Sequence, residues 1–298
     1  MTVYHAGELA VQRRLGQSDI AARLSRMVRT EIPDAAAHFL ADQPMVVLAA
    51  ADDASQIWAG LVTGPPGFLH VLDGPDDNEQ IAVDALPVTG DPLHDVLAGE
   101  PRRVGMIAVD PRTRRRMRVN GVATPTGSGL RIRPDQVYSN CPKYISRRHV
   151  EGATEAAGER VQRHATALDD RTQQIIAAAD TFFIGSADAD GNADASHRGG
   201  NPGFLQVLSP NRLRWPDYRG NSMFMTLGNI AANPRAGLLI PDWSTGTTLQ
   251  LTGTAEIIWE TGPGAQCWVE FTIEQTVEVT GVSPLRWSTA ELSPANPA

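Results

Sequence analysis

The chain has 298 residues, 42% of them hydrophobic, 20% charged and 6% aromatic, enough to bury about three quarters of its unfolded surface without covalent staples. Two cysteines, Cys141 and Cys267, exclude a disulfide framework and an all-thiolate metal site, and no apolar run approaches the roughly 18 residues of a membrane-spanning helix. The net charge of −8 disfavours the counterion-release mode of nucleic-acid binding, and Lys143 is the single lysine among 26 basic residues.

The opening stretch MTVYHAGELAVQRRLGQSD lacks a basic start followed by an apolar segment and a cleavage site, so a cytoplasmic location is expected. Helical spacing covers 5–16 (Leu9, Val11, Leu15) and 18–30 (Ile20, Leu24, Met27, Val28), with Ser18 as the expected N-cap. Pro33 suits the first turn of a third helix ending near Ala41. Apolar runs of strand length follow at 45–50, 57–63 and 67–72. An interval over 72–100 then carries eight carboxylates and neither Lys nor Arg. Strand-like runs return at 104–109 and 115–123, the latter beside Arg112–Arg118, where five of seven residues are arginine. On a strand Arg114, Arg116 and Arg118 share one face, which is either a solvated hairpin face or a platform for an acidic cofactor tail. Residues 143–179 read as an Ala-rich, polar linker helix, and strands resume at 181–187.

The chain repeats itself. Gly64-Pro65-Pro66-Gly67-Phe68-Leu69 reads onto Gly200-Asn201-Pro202-Gly203-Phe204-Leu205 at an offset of 136. Gly105-Met106-Ile107-Ala108 and Asn120-Gly121-Val122-Ala123 read onto Gly237-Leu238-Leu239-Ile240 and Thr252-Gly253-Thr254-Ala255 at an offset of 132. Two homologous halves are therefore expected, with boundaries at 1–150 and 151–298. Each holds about six short strands and a helix or two, which points to antiparallel β structure and a small barrel. A small barrel fills its interior with side chains, so a ligand is expected outside or between the barrels.

The halves differ where a ligand would sit. In the second, Arg214, Arg219, Asn221 and Ser222 cluster around a glycine just before an amphipathic helix (Met223, Leu227, Ile230). Free N–H groups, a hydroxyl and an arginine suit a phosphate dianion, although Asn221 or Ser222 as a plain helix cap explains the same residues. The acidic interval of the first half repels phosphate. His197 alternates with Ser196 and Arg198 on a strand and is either a packed core histidine or a group facing a ligand. The seven histidines show no HxH or HExxH spacing, so no metal site is expected.

Over about residues 168–260 the chain resembles the pyridoxamine 5′-phosphate oxidase-like, FMN-binding split β-barrel proteins. The resemblance is carried by Ser196-His197-Arg198, Arg214-Trp215-Pro216-Asp217-Tyr218 and Arg219-Gly220-Asn221-Ser222. It continues through Asn229-Ile230-Ala231-Ala232-Asn233-Pro234 into Gly237-Leu238-Leu239-Ile240, and through Leu249-Gln250-Leu251-Thr252-Gly253. It implies a mainly β fold with flanking helices (α+β), built as two tandem split β-barrels, and a flavin-dependent oxidoreductase type of activity. It further implies one non-covalent FMN between the barrels of an intramolecular pseudo-dimer, or of a homodimer. The implied cofactor-binding residues are Ser196, His197, Arg198, Gly199, Arg214, Tyr218, Arg219, Asn221, Ser222 and Gln250, with Arg198 and Gly199 near the ring or ribityl chain. The family's Arg-Lys phosphate clamp falls on Asn221 and Ser222, so the positive charge must come from Arg219, Arg214 or the other half. The family's C-terminal Trp/Arg motif has only a loose counterpart in Arg286-Trp287, so pyridoxamine-phosphate oxidation itself is not implied. The expected partners are a small substrate or acceptor and a separate reductase, with neither nucleic acid nor membrane. Two alternatives stand beside FMN enzymology: a deazaflavin F420-dependent reductase, and a non-enzymatic flavin-binding or electron-transfer module.

Overall fold

The apolar runs at 45–50 and 57–63 become strands buried on both faces, which explains why they lack the alternation of a half-exposed strand. The computed structural model describes residues 3–73, 79–154 and 160–297, so Asp76 and Asp77 of the acidic interval and 155–159 of the expected linker lie outside the described residues. Helices α1 (Ala6–Arg14), α2 (Ser18–Leu24) and α3 (Asp34–Ala41) precede the first sheet. That sheet contains β1 (Met45–Ala51), β2 (Ile57–Thr63), β3 (Leu69–Asp73), β4 (Glu79–Val83), β5 (Arg102–Asp110), β6 (Arg115–Pro125) and β7 (Leu130–Ser139), with α4 (Leu93–Ala98) between β4 and β5. After β8 (Val150–Ala153), β9 (Gln162–Ala165) and α5 (Asp170–Ala178), the second sheet is built from β10 (Thr181–Ala187), β11 (Ala193–Gly199), β12 (Gln206–Ser209), β13 (Arg212–Tyr218), β14 (Arg235–Pro241), β15 (Thr248–Ile258) and β16 (Ala265–Val279). Helix α6 (Met225–Ala232) joins β13 to β14, and β17 (Leu285–Trp287) closes the order.

The first sheet runs β2-β1-β5-β6-β7-β4-β3 and the second β11-β10-β14-β15-β16-β13-β12, so the strand order is the same when the halves are overlaid. The register is the same too. Val47 faces Ile107 and Leu48 faces Met106, while Phe183 faces Leu239 and Ile184 faces Leu238, which are the same pairs displaced by 136 and 132. Even the bulges coincide, at Asn120/Gly121 and at Thr252/Gly253. The fold is mainly β with flanking helices, arranged as two tandem split barrels.

The barrels pack face to face through β1, β2 and β5 of one and β10, β11 and β14 of the other. Small residues let the backbones approach. A Cβ on Gly105 would lie 2.3 Å from the Ala195 nitrogen, and one on Gly237 would lie 2.3 Å from the Ile57 carbonyl oxygen. The two contacts are related by the pseudo-two-fold, because Gly105 and Gly237 are repeat equivalents, as are Asp194 and Trp58, whose Cα atoms each glycine approaches. Gly105→Ala and Gly237→Ala should each destabilise the chain by about 1–3 kcal/mol through forced displacement of backbone. Gly127→Ala, where a Cβ meets nothing within 4 Å, serves as the neutral control in the same denaturant titration.

Three expectations need correction. Residues 143–179 are not one helix: β8 pairs with β17 and β9 with the end of β16, leaving only α5 helical. The polar Ala-rich composition hid these edge strands, whose partners lie more than 100 residues away. Ser18 is the first helical residue rather than the cap, which is Gln17. The Asn221–Ser222 segment does not cap α6 either; the cap is Phe224, with no side-chain capping bond.

Candidate functional site

The N-terminal helix fixes the loop that leads into α6. Helix α1 lies on α6, with His5 Nε2 2.9 Å from Asn229 Oδ1 and Gln12 Nε2 donating to the Met223 carbonyl at 3.0 Å. The contact is tight because both helices present glycine: a Cβ on Gly7 would lie 2.2 Å from the Gly228 carbonyl oxygen. Ser222 donates its hydroxyl to Gln17 Oε1. The loop is held in a costly conformation, with Ser222 at φ 62° and Phe224 at φ 60°. Tyr144, on the opposite wall, has φ 66°. Left-handed non-glycine residues of this kind persist where the surroundings over-determine them, and they gather at ligand sites.

Between this loop and the first barrel lies a cleft with an interior of about 90 Å³, or about 760 Å³ including its open mouth. The second half contributes Ser196, His197, Arg198, Gly199, Asp217, Tyr218, Asn221 and Ser222, and the first contributes Arg116, Arg118, Asn140 and Tyr144. The Tyr144 and Tyr218 rings stand 5.2 Å apart, and the Tyr144 hydroxyl donates to the Arg219 carbonyl at 3.0 Å, so aromatic rings form one side.

Three arginines dominate the charge of the cleft. Arg118 pairs with Asp194, both buried, and Arg198 lies 3.6 Å from Asp217 while donating to Ser196 Oγ at 2.7 Å. Arg116 has no carboxylate within 4.0 Å among the described residues; its guanidinium meets His197 Nδ1 at 3.0 Å. One cation is thus left over. Burial first, then Arg118 and Arg198, push Arg116 down to about 9. Burial and the arginines 116, 198 and 148 hold His197 well below its ordinary value, so it is neutral at pH 7. A neutral imidazole that accepts at Nδ1 carries its proton on Nε2, and Arg116 thereby fixes the tautomer. The buried Nε atoms of Arg116, Arg118 and Arg198 have no hydrogen-bond partner among the described residues. Spare donors and an uncompensated cation suit an anion such as a phosphate. A larger cavity on the other side of the Arg118–Asp194 pair is lined by Asp135, Asp188, Asp190, Asp194, Glu31 and Glu8 against Arg29 and Arg103, an excess of carboxyl groups that disfavours a dianion.

The structure gathers seven of the ten residues singled out by sequence around this cleft: Ser196, His197, Arg198, Gly199, Tyr218, Asn221 and Ser222. The other three lie elsewhere. Arg214 faces Glu270 across the β13–β16 ladder, reaches Glu260 at 3.3 Å and stacks over Trp268, so its charge is already satisfied. Arg219 is exposed and offers the cleft side only its carbonyl. Gln250 is fully buried on the opposite side of the barrel interface, where its Nε2 donates to the Ala59 carbonyl and to Asp91. The pseudo-two-fold arrangement explains the last case: β15 of the second barrel serves the other cleft, and β6 of the first serves this one. Gln250 is the repeat equivalent of Arg118. The charge therefore comes from alternate residues of the Arg112–Arg118 run, which the sequence marked as a strand face without showing what that face meets.

The equivalent cleft is filled. Trp243 and Trp287 meet edge to face at 5.7 Å near Leu61, the counterpart of His197, and Asp91 is buried against Gly60 and Gln250. Burial lifts Asp91 to about 7, against the opposing bonds from Leu93 N–H and Gln250. A carboxyl raised in the folded state contributes stability that is present below its unfolded value of about 4 and is lost as pH rises through 7. The melting temperature should therefore fall between pH 4 and 7, and Asp91→Asn should flatten that fall in a pH series of thermal melts. An unchanged slope in the variant would exclude Asp91 as its source.

Residues 168–283 match the pyridoxamine 5′-phosphate oxidase family. Among solved structures the chain is similar to HupZ of Group A Streptococcus, with 13% identity, coverage of 36% of this chain and 90% of that one, and a TM-score of 0.31. A FAD-binding protein of Mesorhizobium loti is similar at 13% identity, covering 41% and 98% with a TM-score of 0.30. A Clostridium acetobutylicum protein of the pyridoxinephosphate oxidase family, related to general stress protein 26, shares 12% identity over 40% and 92% with a TM-score of 0.30. No curated protein sequence matches the chain.

Proposed function

We propose, taking residues 168–283 as a domain of the pyridoxamine 5′-phosphate oxidase family, that this chain binds one FMN non-covalently between its two barrels and works as a flavin-dependent oxidoreductase. The observation that carries this reading is Arg116, a cation with no carboxylate partner among the described residues, at the wall of a cleft that both barrels line. Arg116, Arg118 and Arg198, with Asn221 and the main chain of the 219–224 loop, would hold the phosphate. His197, kept neutral, offers an Nε2–H donor rather than a second positive charge. Tyr144 and Tyr218 limit the access of water from one side. The flavin, once bound, supplies hydride or electron transfer, and the protein holds the ring and sets its surroundings.

The reading does not extend to pyridoxamine phosphate as substrate. Trp287 is buried against Trp243, and the Arg286 guanidinium donates to the Ser283 carbonyl, away from this cleft. A small acceptor, reached directly or through a separate reductase, fits the reading.

FMN added to ligand-free protein should lose its free-flavin fluorescence in a saturable manner, with inorganic phosphate competing. Fluorescence that stays at the level of free FMN would refute flavin binding. Reduction of the bound flavin by NADH or NADPH then separates an enzyme from a carrier.

A further inference from the structure

The cleft does not end at Arg116. On the other side of that residue a groove runs between the β5–β6 turn and the first turn of α3, lined by Arg114, Arg115, Arg116, Ala36, Phe39 and Asn140. Arg116 and Asn140 belong to both walls, so groove and cleft are neighbours across a single layer of side chains. Among the described residues no carboxylate lines the groove. Arg114 is committed, donating to the Ile145 carbonyl and to Glu291, both at 3.0 Å. Arg115 is exposed, lies over the Phe39 ring at 5.1 Å, and has no carboxylate within 4.0 Å among the described residues. In a chain with a net charge of −8, two unmatched guanidinium groups on adjacent residues are a local reversal of sign. Free guanidinium over an aromatic face, beside an apolar helix wall, suits a phosphate or carboxylate on an organic body.

We infer that the groove binds a second anionic group, carried by a ligand whose other part occupies the cleft or lies directly beside it. The inference rests on the flavin reading for the identity of the neighbour in the cleft, but not for the groove's own chemistry. Two sources supply such a group: a tail on the cofactor itself, as in a flavin extended by a second phosphate, or the anionic end of a separate substrate. A single phosphate held by Arg116 leaves Arg115 unmatched, whereas either source satisfies both.

Full-length protein, wild type and Arg115→Glu, is titrated with FMN and with FAD by flavin fluorescence, and the FMN-saturated protein is titrated with pyrophosphate by calorimetry. Arg115 is exposed at the first residue of β6, so the variant should melt with the wild type; Arg115→Gln is the milder check if it does not. A cofactor tail is supported if FAD binds at least tenfold tighter than FMN and Arg115→Glu removes that advantage without changing the FMN affinity. A separate anionic partner is supported if pyrophosphate binds the FMN-loaded protein and Arg115→Glu weakens it at least tenfold. The inference is overturned if FAD has no advantage and pyrophosphate binding is absent or indifferent to Arg115. Should FMN bind neither protein, the flavin reading alone has failed, and pyrophosphate titrated into the ligand-free pair still decides the groove by the same tenfold criterion.

Discussion

Arg118→Ala should lower the stability of the folded chain by about 3–5 kcal/mol, the range for breaking a buried ion pair from one side. Arg118 and Asp194 are 5% and 2% exposed, so water cannot replace the lost partner. Asp194 would keep the Tyr138 hydroxyl and the Asn120 amide, each at 3.2 Å, but neither carries charge. It would also stand near Glu8, a buried carboxyl raised to about 8 by burial first and by Asp194 as well, against the His5 N–H and Arg118. The loss extends beyond the pair, because the Arg118 guanidinium lies over the Tyr138 ring at 5.1 Å and joins the two barrels there. Removing both charges together, as in Arg118→Met with Asp194→Leu, should recover most of the loss, since no unpaired charge remains. Denaturant titrations of the single and double variants measure both quantities. A single-variant loss below about 1 kcal/mol would show that the pair is not sealed from water in the way the burial indicates.

The largest functional effect belongs to Arg116. Arg116→Glu should weaken FMN binding more than about a hundredfold, and Arg116→Gln by about ten- to a hundredfold, from the 1.5–3 kcal/mol that a charge-assisted hydrogen bond contributes. Riboflavin, which lacks the phosphate, should respond far less, and that contrast separates loss of an anion site from general damage to the cleft. His197 should respond as well. With Arg116 gone its Nδ1 loses a donor and a neighbouring positive charge, so its titration should move up toward the ordinary histidine range, which NMR of the imidazole would follow. Equal losses for FMN and riboflavin would place Arg116 near the ring system rather than the phosphate.

Much of the fold was legible because repetition and periodicity are local properties. The offsets 136 and 132, read from short strings, reappear as the register pairs Val47–Ile107 and Phe183–Leu239. The uninterrupted apolar runs around Val47 and Ile184 belong to strands covered on both faces, one by their own barrel and one by the other. What the sequence could not convey is which strand of one half faces which cleft of the other. That depends on the packing of the barrels, and it moved Gln250 to the far side while bringing Arg116 and Arg118 into the cleft. Arg214 lies apart from the cleft for a simpler reason. Its cross-strand neighbour Glu270 is 56 residues away, and no local pattern announces that pairing. The edge strands β8 and β9 were hidden likewise, their partners being the distant β17 and β16.

Two copies of one fold would ordinarily make two equivalent clefts, yet among the described residues only one of these is lined by arginines; the other holds Trp243, Trp287 and the buried Asp91. The number of flavins bound per chain, measured by titrating ligand-free protein with FMN to saturation, tests this asymmetry most directly. One equivalent per chain, lost in Arg116→Glu, is the predicted result. Two equivalents of similar affinity, or one that survives Arg116→Glu unchanged, would contradict it.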